Sequence, residues 1–178
     1  MKKDERFDDR IYVIEARLGD DEAFMKLVDH YSGRLLYYIR RLLEDADRSD
    51  DVLQDVWLTV YKKIKTLRDA SAFSVWLYRT ARNRAIRLLR DESRYVFVKQ
   101  YDESDFIDDD RDSLSFDDIS KLHRVLTTLS PEQKEVIVLR FFEEMSYQEI
   151  SDIVGCSIGT VRSRIHYAKQ ELRRKIEA

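Results

Sequence analysis

Apolar residues recur every three or four positions through the first half of the chain, and this spacing limits the fold more than any other feature. Such a spacing places side chains on one face of an α-helix. The chain also has only 4 Gly and 1 Pro in 178 residues, few for a protein rich in turns and strands. No useful run alternates between apolar and polar residues. The sequence therefore predicts an all-α fold.

The periodic positions form three stripes between residues 20 and about 94, which predict three or more helices. Helices that pool such stripes bury one common core, as in a helix bundle. Phe73 and Trp76 belong to the third stripe and are expected to be mainly buried. The stripes are Phe24, Leu27, Val28, Tyr31, Leu35, Ile39, Leu42 and Leu43, then Val52, Val56, Trp57, Val60 and Ile64, and then Phe73, Trp76, Leu77, Ala81, Ala85 and Leu88.

The segment 101–118 has a different composition, with nine acidic residues and a single basic one, Arg111. Such a run repels itself and has little apolar surface to bury, so it is predicted to be a flexible linker. A solvated spacer without a special role is one alternative. A calcium or magnesium loop is another, but the segment lacks the spaced glycine and terminal glutamate of a dedicated calcium loop.

Helical signals resume after the acidic segment. Ser130, Pro131 and Gln133 predict a helix that starts with a capping box, and Ser146 with Glu149 predicts a second one. Two small helical domains joined by an acidic linker therefore describe the whole chain.

A short helix, a turn and a longer helix are predicted near the end of the chain. Gly155 stands where a helix end favours a residue that tolerates positive φ, and Ser157 can cap the next helix. This order of elements is the helix-turn-helix arrangement. The buried positions expected on the two helices are Ile150, Ile153 and Val154, and then Val161, Ile165, Ala168, Leu172 and Ile176.

The polar side of the longer helix is strongly basic. Residues 157–178 contain six Lys and Arg against two Glu, in a chain whose formal net charge is -3. Arginine can form two hydrogen bonds to guanine, and hydroxyl groups and other cations reach bases and phosphates, so this surface suits the major groove of DNA. The alternative is a solvated helix whose cations complement its own dipole. The polar residues are Arg162, Ser163, Arg164, His166, Tyr167, Lys169, Gln170, Arg173 and Arg174.

The segment 73–90 forms a second basic surface, in which arginines and aromatic residues occur together without any acidic side chain. Cations, aromatic rings and an amide suit single-stranded nucleic acid, whose bases stack and whose backbone is followed electrostatically. Its polar residues are Arg79, Arg82, Asn83, Arg84, Arg87 and Arg90.

The helix before it carries Asp50, Asp51, Gln54 and Asp55 opposite its apolar stripe. This face indicates either a basic protein partner or simply favourable charges at a helix N-terminus.

Other classes of function lack support in the sequence. Cys156 is the only cysteine, so neither an intramolecular disulfide nor a multi-cysteine zinc site can form. His30, His123 and His166 fit no metal-ligand motif, and no nucleophile signature occurs. We therefore expect no catalytic residue, metal or cofactor. We also expect a cytoplasmic protein without membrane insertion, because no signal-peptide pattern and no apolar run of about 20 residues occurs.

Both helical blocks resemble the bacterial RNA polymerase sigma factors of the extracytoplasmic-function (ECF) type. The stretch "SDDVLQDVWLTVYKKI" is similar to the family's segment that grips the clamp helices of RNA polymerase. The stretch "FSVWLYRTARNRAIRLLR" is similar to the segment that melts and holds the minus-ten promoter element, and "LSPEQKEVIVLRFFEEMSYQEISDIVGCSIGTVRSRIHYAKQELR" follows the region-four pattern. The resemblance covers roughly residues 20–95 and 114–176, with both halves in the expected order.

The resemblance implies three parts and a function. A region-two-like domain at 1–95 would bind core polymerase and the minus-ten element, and a region-four-like helix-turn-helix domain at 114–178 would bind the minus-thirty-five element. The acidic flexible linker at 96–113 would lie in the polymerase's RNA exit path. Such a protein is a non-enzymatic initiation factor that directs core RNA polymerase to specific promoters and assists melting. Many members are also held by an anti-sigma factor.

The resemblance also carries site residues over by position. Asp51, Gln54 and Asp55 would face core polymerase, and residues 65–71 would form a loop that cradles an extruded base. The residues implied near single-stranded minus-ten DNA are Arg79, Arg82, Asn83, Arg84 and Arg87. Those implied to read the minus-thirty-five duplex are Thr160, Arg162, Ser163, Arg164, His166, Tyr167 and Lys169.

Three other interpretations compete with this one. A stand-alone helix-turn-helix regulator leaves the arginine-rich middle helix and the acidic face unexplained. A helical enzyme lacks any catalytic motif. A disarmed sigma-like protein would bind polymerase or an anti-sigma factor without initiating transcription, and the sequence does not distinguish it from an active factor.

Overall fold

The computed structural model describes residues 8–91 and 126–176. These residues form helices and turns without a strand, and they divide into two compact units, one within Met1–Tyr95 and one within Val96–Ala178. The all-α prediction is confirmed. None of the helices in the described ranges is both long and apolar enough to cross a bilayer. The predicted linker, with its spacer and calcium-loop alternatives, lies outside the described residues.

The described part of the first unit, residues 8–91, contains four α-helices: α1 (Asp9–Arg17), α2 (Asp21–Leu43), α3 (Ala46–Lys63) and α4 (Phe73–Asp91). Two 3₁₀ turns, Ile64–Thr66 and Ala70–Ala72, connect α3 to α4. The first three helices all begin after an aspartate whose carboxylate accepts backbone N–H groups. Asp20 accepts from the amides of Glu22 and Ala23 at 2.9 and 3.1 Å, so the start of the longest helix is encoded locally.

Two helix boundaries differ from the sequence prediction. Helix α1 was not predicted, because it has only nine residues and buries just Val13 and Ala16, too few to produce a periodic signal. Helix α3 begins at Ala46, six residues before Val52, the first residue of the predicted second stripe. Asp45 caps it by accepting from the Arg48 amide at 3.1 Å, so the polar residues form its first turn.

The core of the first unit follows the predicted stripes closely. All five residues of the second stripe are buried, and so are Phe73, Leu77, Ala81 and Ala85 of the third. Trp76 is buried only in part and lines a surface groove. Tyr38 and Tyr78 are fully buried with ring centroids 5.3 Å apart, although neither belongs to a predicted stripe.

The second unit contains α5 (Pro131–Ile137), a π-helical turn (Val138–Phe142), α6 (Tyr147–Val154) and α7 (Ile158–Ile176). Both predicted capping boxes are confirmed. In the second box, the Ser146 amide donates to the Glu149 carboxylate at 2.8 Å and the Glu149 amide donates to the Ser146 hydroxyl at 3.2 Å. These reciprocal bonds satisfy two amide groups that a helix start leaves without intrahelical partners.

The turn between α6 and α7 has the predicted conformation. Gly155 lies in the left-handed region with φ 74°, and the Ser157 hydroxyl accepts from the Thr160 amide at 3.1 Å. Ile150, Ile153 and Val154 are buried on α6, and Val161, Ile165, Ala168 and Leu172 are fully buried on α7. The helix-turn-helix prediction is therefore confirmed. The side chain of Ile176 lies outside the described residues.

Two glycines of the first unit should respond oppositely to the same substitution. Gly19 has φ +100° in the turn before α2, whereas Gly33 lies exposed within α2, and an added Cβ meets no atom within 4 Å at either position. Gly19→Ala should destabilise the unit by about 1 kcal/mol or more because of its backbone conformation. Gly33→Ala should stabilise it by roughly 0.5–1 kcal/mol. Both tryptophans, Trp57 and Trp76, lie in this unit, so urea unfolding followed by tryptophan fluorescence measures its stability. If both substitutions change the free energy of unfolding in the same direction, the two backbone conformations are wrong.

Candidate nucleic-acid and protein interfaces

A groove of about 380 Å³ lies between α3 and α4. It combines a partly exposed indole ring, an amide, two threonines and three cationic side chains, which together suit a single nucleic-acid strand. Its lining residues are Val56, Thr59, Lys63, Trp76, Thr80, Asn83, Arg84 and Arg87.

The groove contains three of the five residues implied near minus-ten DNA, namely Asn83, Arg84 and Arg87. Arg79 is exposed and Arg82 half-buried, and neither lines the groove. Lys63, Thr59 and Thr80 were not predicted from the sequence. Thr59 and Lys63 follow Val56 at spacings of three and four residues. This spacing could have indicated that they lie along the edge of α3 that faces α4.

The loop at residues 65–71, which the resemblance implies cradles a base, has its shape fixed by local hydrogen bonds. The amide and hydroxyl of Ser71 donate to the Asp69 carboxylate at 2.9 and 2.7 Å, and these bonds lower the pKa of Asp69. The Arg17 guanidinium donates to the Arg68 carbonyl at 3.4 Å and so links the loop to α1. The loop is therefore braced at its middle.

The acidic face of α3 continues into exposed apolar residues. Asp51 and Gln54 are exposed, and Leu58 and Tyr61 follow on the same face with 57% and 53% of their surface accessible. The Tyr61 hydroxyl donates to the Asp21 carboxylate at 3.0 Å, which orients the ring. Large apolar and aromatic side chains beside charged groups are typical of protein interfaces. Leu58 and Tyr61 were not predicted from the sequence, although both extend the three- and four-residue spacing of Asp51 and Gln54.

Asp55 differs from its neighbours on this face. It is half-buried, and the Arg84 guanidinium donates to it through Nε at 3.0 Å and through Nη2. A second cavity of about 420 Å³ surrounds this ion pair and is lined by Arg48, Asp51, Val52, Asp55, Arg84, Arg87, Leu88 and Asp91. Asp55 was predicted to face a protein partner and Arg84 to lie near single-stranded DNA. The structure shows that the two side chains contact each other.

On α7, Arg162 and Tyr167 are exposed, and Thr160, Arg164 and His166 are half-buried. The Arg162 guanidinium carbon lies 5.9 Å from the centre of the Tyr147 ring, and that of Arg140 lies 5.2 Å from the same ring. Arg140 also donates to the Met145 carbonyl at 3.1 Å. This stack limits the positions that the Arg162 guanidinium samples.

The remaining candidates on α7 have more restricted surroundings. The Arg164 guanidinium lies near the turn, with Nη1 3.9 Å from the sulfur of Cys156. His166 and Tyr167 meet edge to face at 5.7 Å, and Nε2 of His166 lies 3.0 Å from Nε2 of Gln170. These contacts orient the exposed ring of Tyr167 at the helix surface.

Two residues that were predicted on the exposed polar side of α7, Ser163 and Lys169, are buried in the structure. Ser163 is fully buried, and its hydroxyl donates to the Thr160 carbonyl at 3.0 Å, a local bond that serine often forms within helices. Lys169 is almost fully buried, with its ammonium 5.6 Å from the centre of the Phe141 ring. Its long aliphatic stem allows this burial. Neither side chain contributes to the exposed surface of the helix.

Comparisons with known proteins relate both units to one family. Residues 27–95 match the family model described as Sigma-70 region 2, and residues 119–172 match that described as Sigma-70, region 4. The ECF RNA polymerase sigma-E factor of Haemophilus influenzae is 30% identical over 97% of this chain and 97% of its own length. The RNA polymerase sigma-H factor of Pseudomonas aeruginosa is 29% identical over 95% of this chain and 94% of its own.

Solved structures show the same fold. CnrH, solved in complex with the cytosolic domain of CnrY, matches with a TM-score of 0.67 and 24% identity over 95% of this chain and 97% of CnrH. The sigma factor RpoE of Bartonella quintana, solved with the anti-sigma factor NepR, also matches with a TM-score of 0.67 and 24% identity, over 87% of this chain and 97% of its own.

Proposed function

This chain belongs to the ECF family of RNA polymerase sigma factors, and we propose from that premise how its surfaces divide the work of initiation. It is an alternative sigma factor that binds core RNA polymerase, directs it to specific promoters and assists promoter melting. The observation that supports this division is that the two units carry basic surfaces of different shape, a groove on the first unit and an exposed helix on the second. We expect it to act by binding alone, in the cytoplasm where polymerase and promoter DNA are found.

We assign the groove between α3 and α4 to the single-stranded minus-ten element. Lys63, Arg84 and Arg87 supply positive charge for the backbone, Trp76 offers a stacking surface, and Asn83 can hydrogen-bond to a base edge. The braced loop at residues 65–71 is assigned to a base turned out of the strand, since a pocket compensates for extrusion only when the right base enters it. Arg79 and Arg82 are assigned to the flanking backbone.

We assign the exposed face of α3 to core polymerase. Asp51 and Gln54 form its polar part, and Leu58 and Tyr61 form an apolar part that becomes desolvated on docking. Buried aromatic and aliphatic side chains contribute most of the free energy in such interfaces, while charges at the rim set orientation and association rate. Asp55 belongs to this surface by position, although Arg84 occupies it in the free protein.

We assign α7 to the minus-thirty-five duplex. Arg162 is the candidate reader of a guanine, and Thr160, Arg164, His166 and Tyr167 flank it as further base or phosphate contacts. Ser163 and Lys169 are left out because they are buried.

The domain division proposed with these sites is 1–95 for polymerase and minus-ten binding, 96–113 for the linker and 114–178 for minus-thirty-five binding. An anti-sigma factor is a further possible partner, since the similar RpoE was solved with one.

Run-off transcription tests the function directly. Purified bacterial core polymerase with this protein, on fragmented genomic DNA, should produce discrete new start sites that core polymerase alone does not. Comparison of the sequences upstream of these sites then gives the two promoter elements. Core binding without transcripts would indicate a disarmed factor, and duplex binding without core binding would indicate an ordinary helix-turn-helix regulator.

Arg162→Ala and Asn83→Ala should fail at different steps. Arg162→Ala should reduce binding of the upstream duplex by about 1–3 kcal/mol, as expected for loss of a base-reading arginine. Asn83→Ala should leave that binding unchanged and reduce opening of the minus-ten region, measured by permanganate reactivity of unpaired thymines. If both variants lose only upstream binding, the assignment of two separate surfaces is wrong.

Leu58→Asp should weaken core polymerase binding at least about tenfold, because a charge would enter the centre of the proposed apolar contact. The matched control is Ile11→Asp, which places the same charge at an apolar residue of α1 that is exposed to a similar extent, 55% against 57%. Affinity for immobilised core polymerase measures both. If both variants bind core polymerase with equal affinity, Leu58 does not lie in the interface.

A further inference from the structure

Asp55 and Arg84 connect the two surfaces assigned on the first unit. Asp55 lies on the helix assigned to polymerase, and Arg84 lines the groove assigned to the minus-ten strand. Both Nε and Nη2 of Arg84 donate to the same carboxylate oxygen, Oδ2 of Asp55. We propose that Asp55 is a positioning residue that holds Arg84 away from the minus-ten strand until polymerase engages the acidic face. The proposal rests on the function assigned above.

The donor geometry explains why the pairing matters for nucleic acid. A guanidinium grips a carboxylate or a phosphate through two neighbouring N–H groups. While Nε and Nη2 of Arg84 donate to Asp55, that edge is not available to a phosphate. The carboxylate also repels an approaching phosphate. Asp55 therefore lowers the affinity of the groove in two ways, by occupying a donor edge and by its negative charge.

The position of Arg84 makes it suited to such an exchange. It lines both cavities of the α3–α4 surface, together with Arg87. Its side chain is 46% exposed and that of Asp55 is 44% exposed, so water screens the pair. Exposed ion pairs contribute little to stability, and a competing partner can therefore replace either member at low cost. Cationic groups of a docked polymerase would take over Asp55 and leave Arg84 free for the strand.

This exchange makes the two binding events cooperative. Because linkage is reciprocal, polymerase would raise the affinity for the single strand by the same factor by which the strand raises the affinity for polymerase. The free protein would bind single strands weakly and thus avoid unproductive contacts with exposed single-stranded nucleic acid.

A charge-matched pair of substitutions tests the proposal in the full-length protein. Asp55→Asn removes the carboxylate that holds Arg84. Asp50→Asn makes the same change in net charge on the same helix, at an exposed residue whose partner is Arg40 of α2 at 3.4 Å. The probe is a fluorescent 20-nucleotide oligothymidylate, and its anisotropy is titrated at several salt concentrations without polymerase. Thermal unfolding by circular dichroism checks that each variant is folded.

Asp55→Asn should bind the oligothymidylate up to about fivefold more tightly than Asp50→Asn, as expected from release of one exposed ion pair. Its plot of log affinity against log salt should be steeper by about 0.7, the increment for one more phosphate contact with a single strand. A purely structural role of Asp55 would not change this slope. In an Arg84→Ala background, only the repulsion by the Asp55 carboxylate is left, so the affinities of Asp55→Asn and Asp50→Asn should differ less and their salt slopes should be equal.

Two results would overturn the proposal, and they separate it from the assigned function. If Arg84→Ala weakens binding but Asp55→Asn and Asp50→Asn are equal in affinity and slope, the groove assignment stands and the positioning role is wrong. If Arg84→Ala changes neither affinity nor slope, Arg84 does not touch the strand, and both the positioning role and the part of Arg84 in the groove are wrong.

Discussion

The packing of α3 against α4 is the constraint on which the first unit's functional surfaces depend. The two helices share a core with α2 through Val52, Val56 and Val60 on one and Ala81 and Ala85 on the other, all of them buried. These buried residues pack α3 and α4 against each other, so side chains at the edge of the seam between the two helices contact each other, as Asp55 and Arg84 do. The groove lined by Asn83 and the contact between Asp55 and Arg84 both lie at this seam.

Features that neighbouring residues encode could be predicted from the sequence. Contacts between residues far apart in the chain could not. The capping boxes at Ser130 and Ser146, and the left-handed turn at Gly155, use residues within four positions of each other, and each was predicted correctly. Asp55 and Arg84 are 29 residues apart, so no periodicity indicates their contact. Ser163 was misplaced because an exposed and a back-bonded serine look the same in a helical pattern.

The uneven distribution of charge explains how a chain with a net negative charge can bind DNA. Although the formal net charge of the chain is -3, helix α7 is strongly basic. In the first unit, positively and negatively charged side chains occur together. The cavity between α3 and α4 is lined by three arginines and three aspartates, namely Arg48, Arg84, Arg87, Asp51, Asp55 and Asp91. Opposite charges at this distance partly cancel in solution, and a partner that neutralises one sign exposes the other. The electrostatic character of the seam therefore depends on what is bound to it.

The two surfaces that we propose for nucleic acid differ in whether their arginines already have a carboxylate partner. On the second unit, Arg162 rests beside Tyr147, which Arg140 contacts as well, and no carboxylate occupies its donors among the contacts described. On the first unit, the donor edge of Arg84 already holds Asp55. A preformed reader loses less conformational freedom on binding, whereas a restrained one requires an exchange of partners first. If the proposed assignments hold, recognition of the upstream duplex needs no prior exchange of partners on α7. Capture of the single strand then depends on polymerase, and melting follows docking.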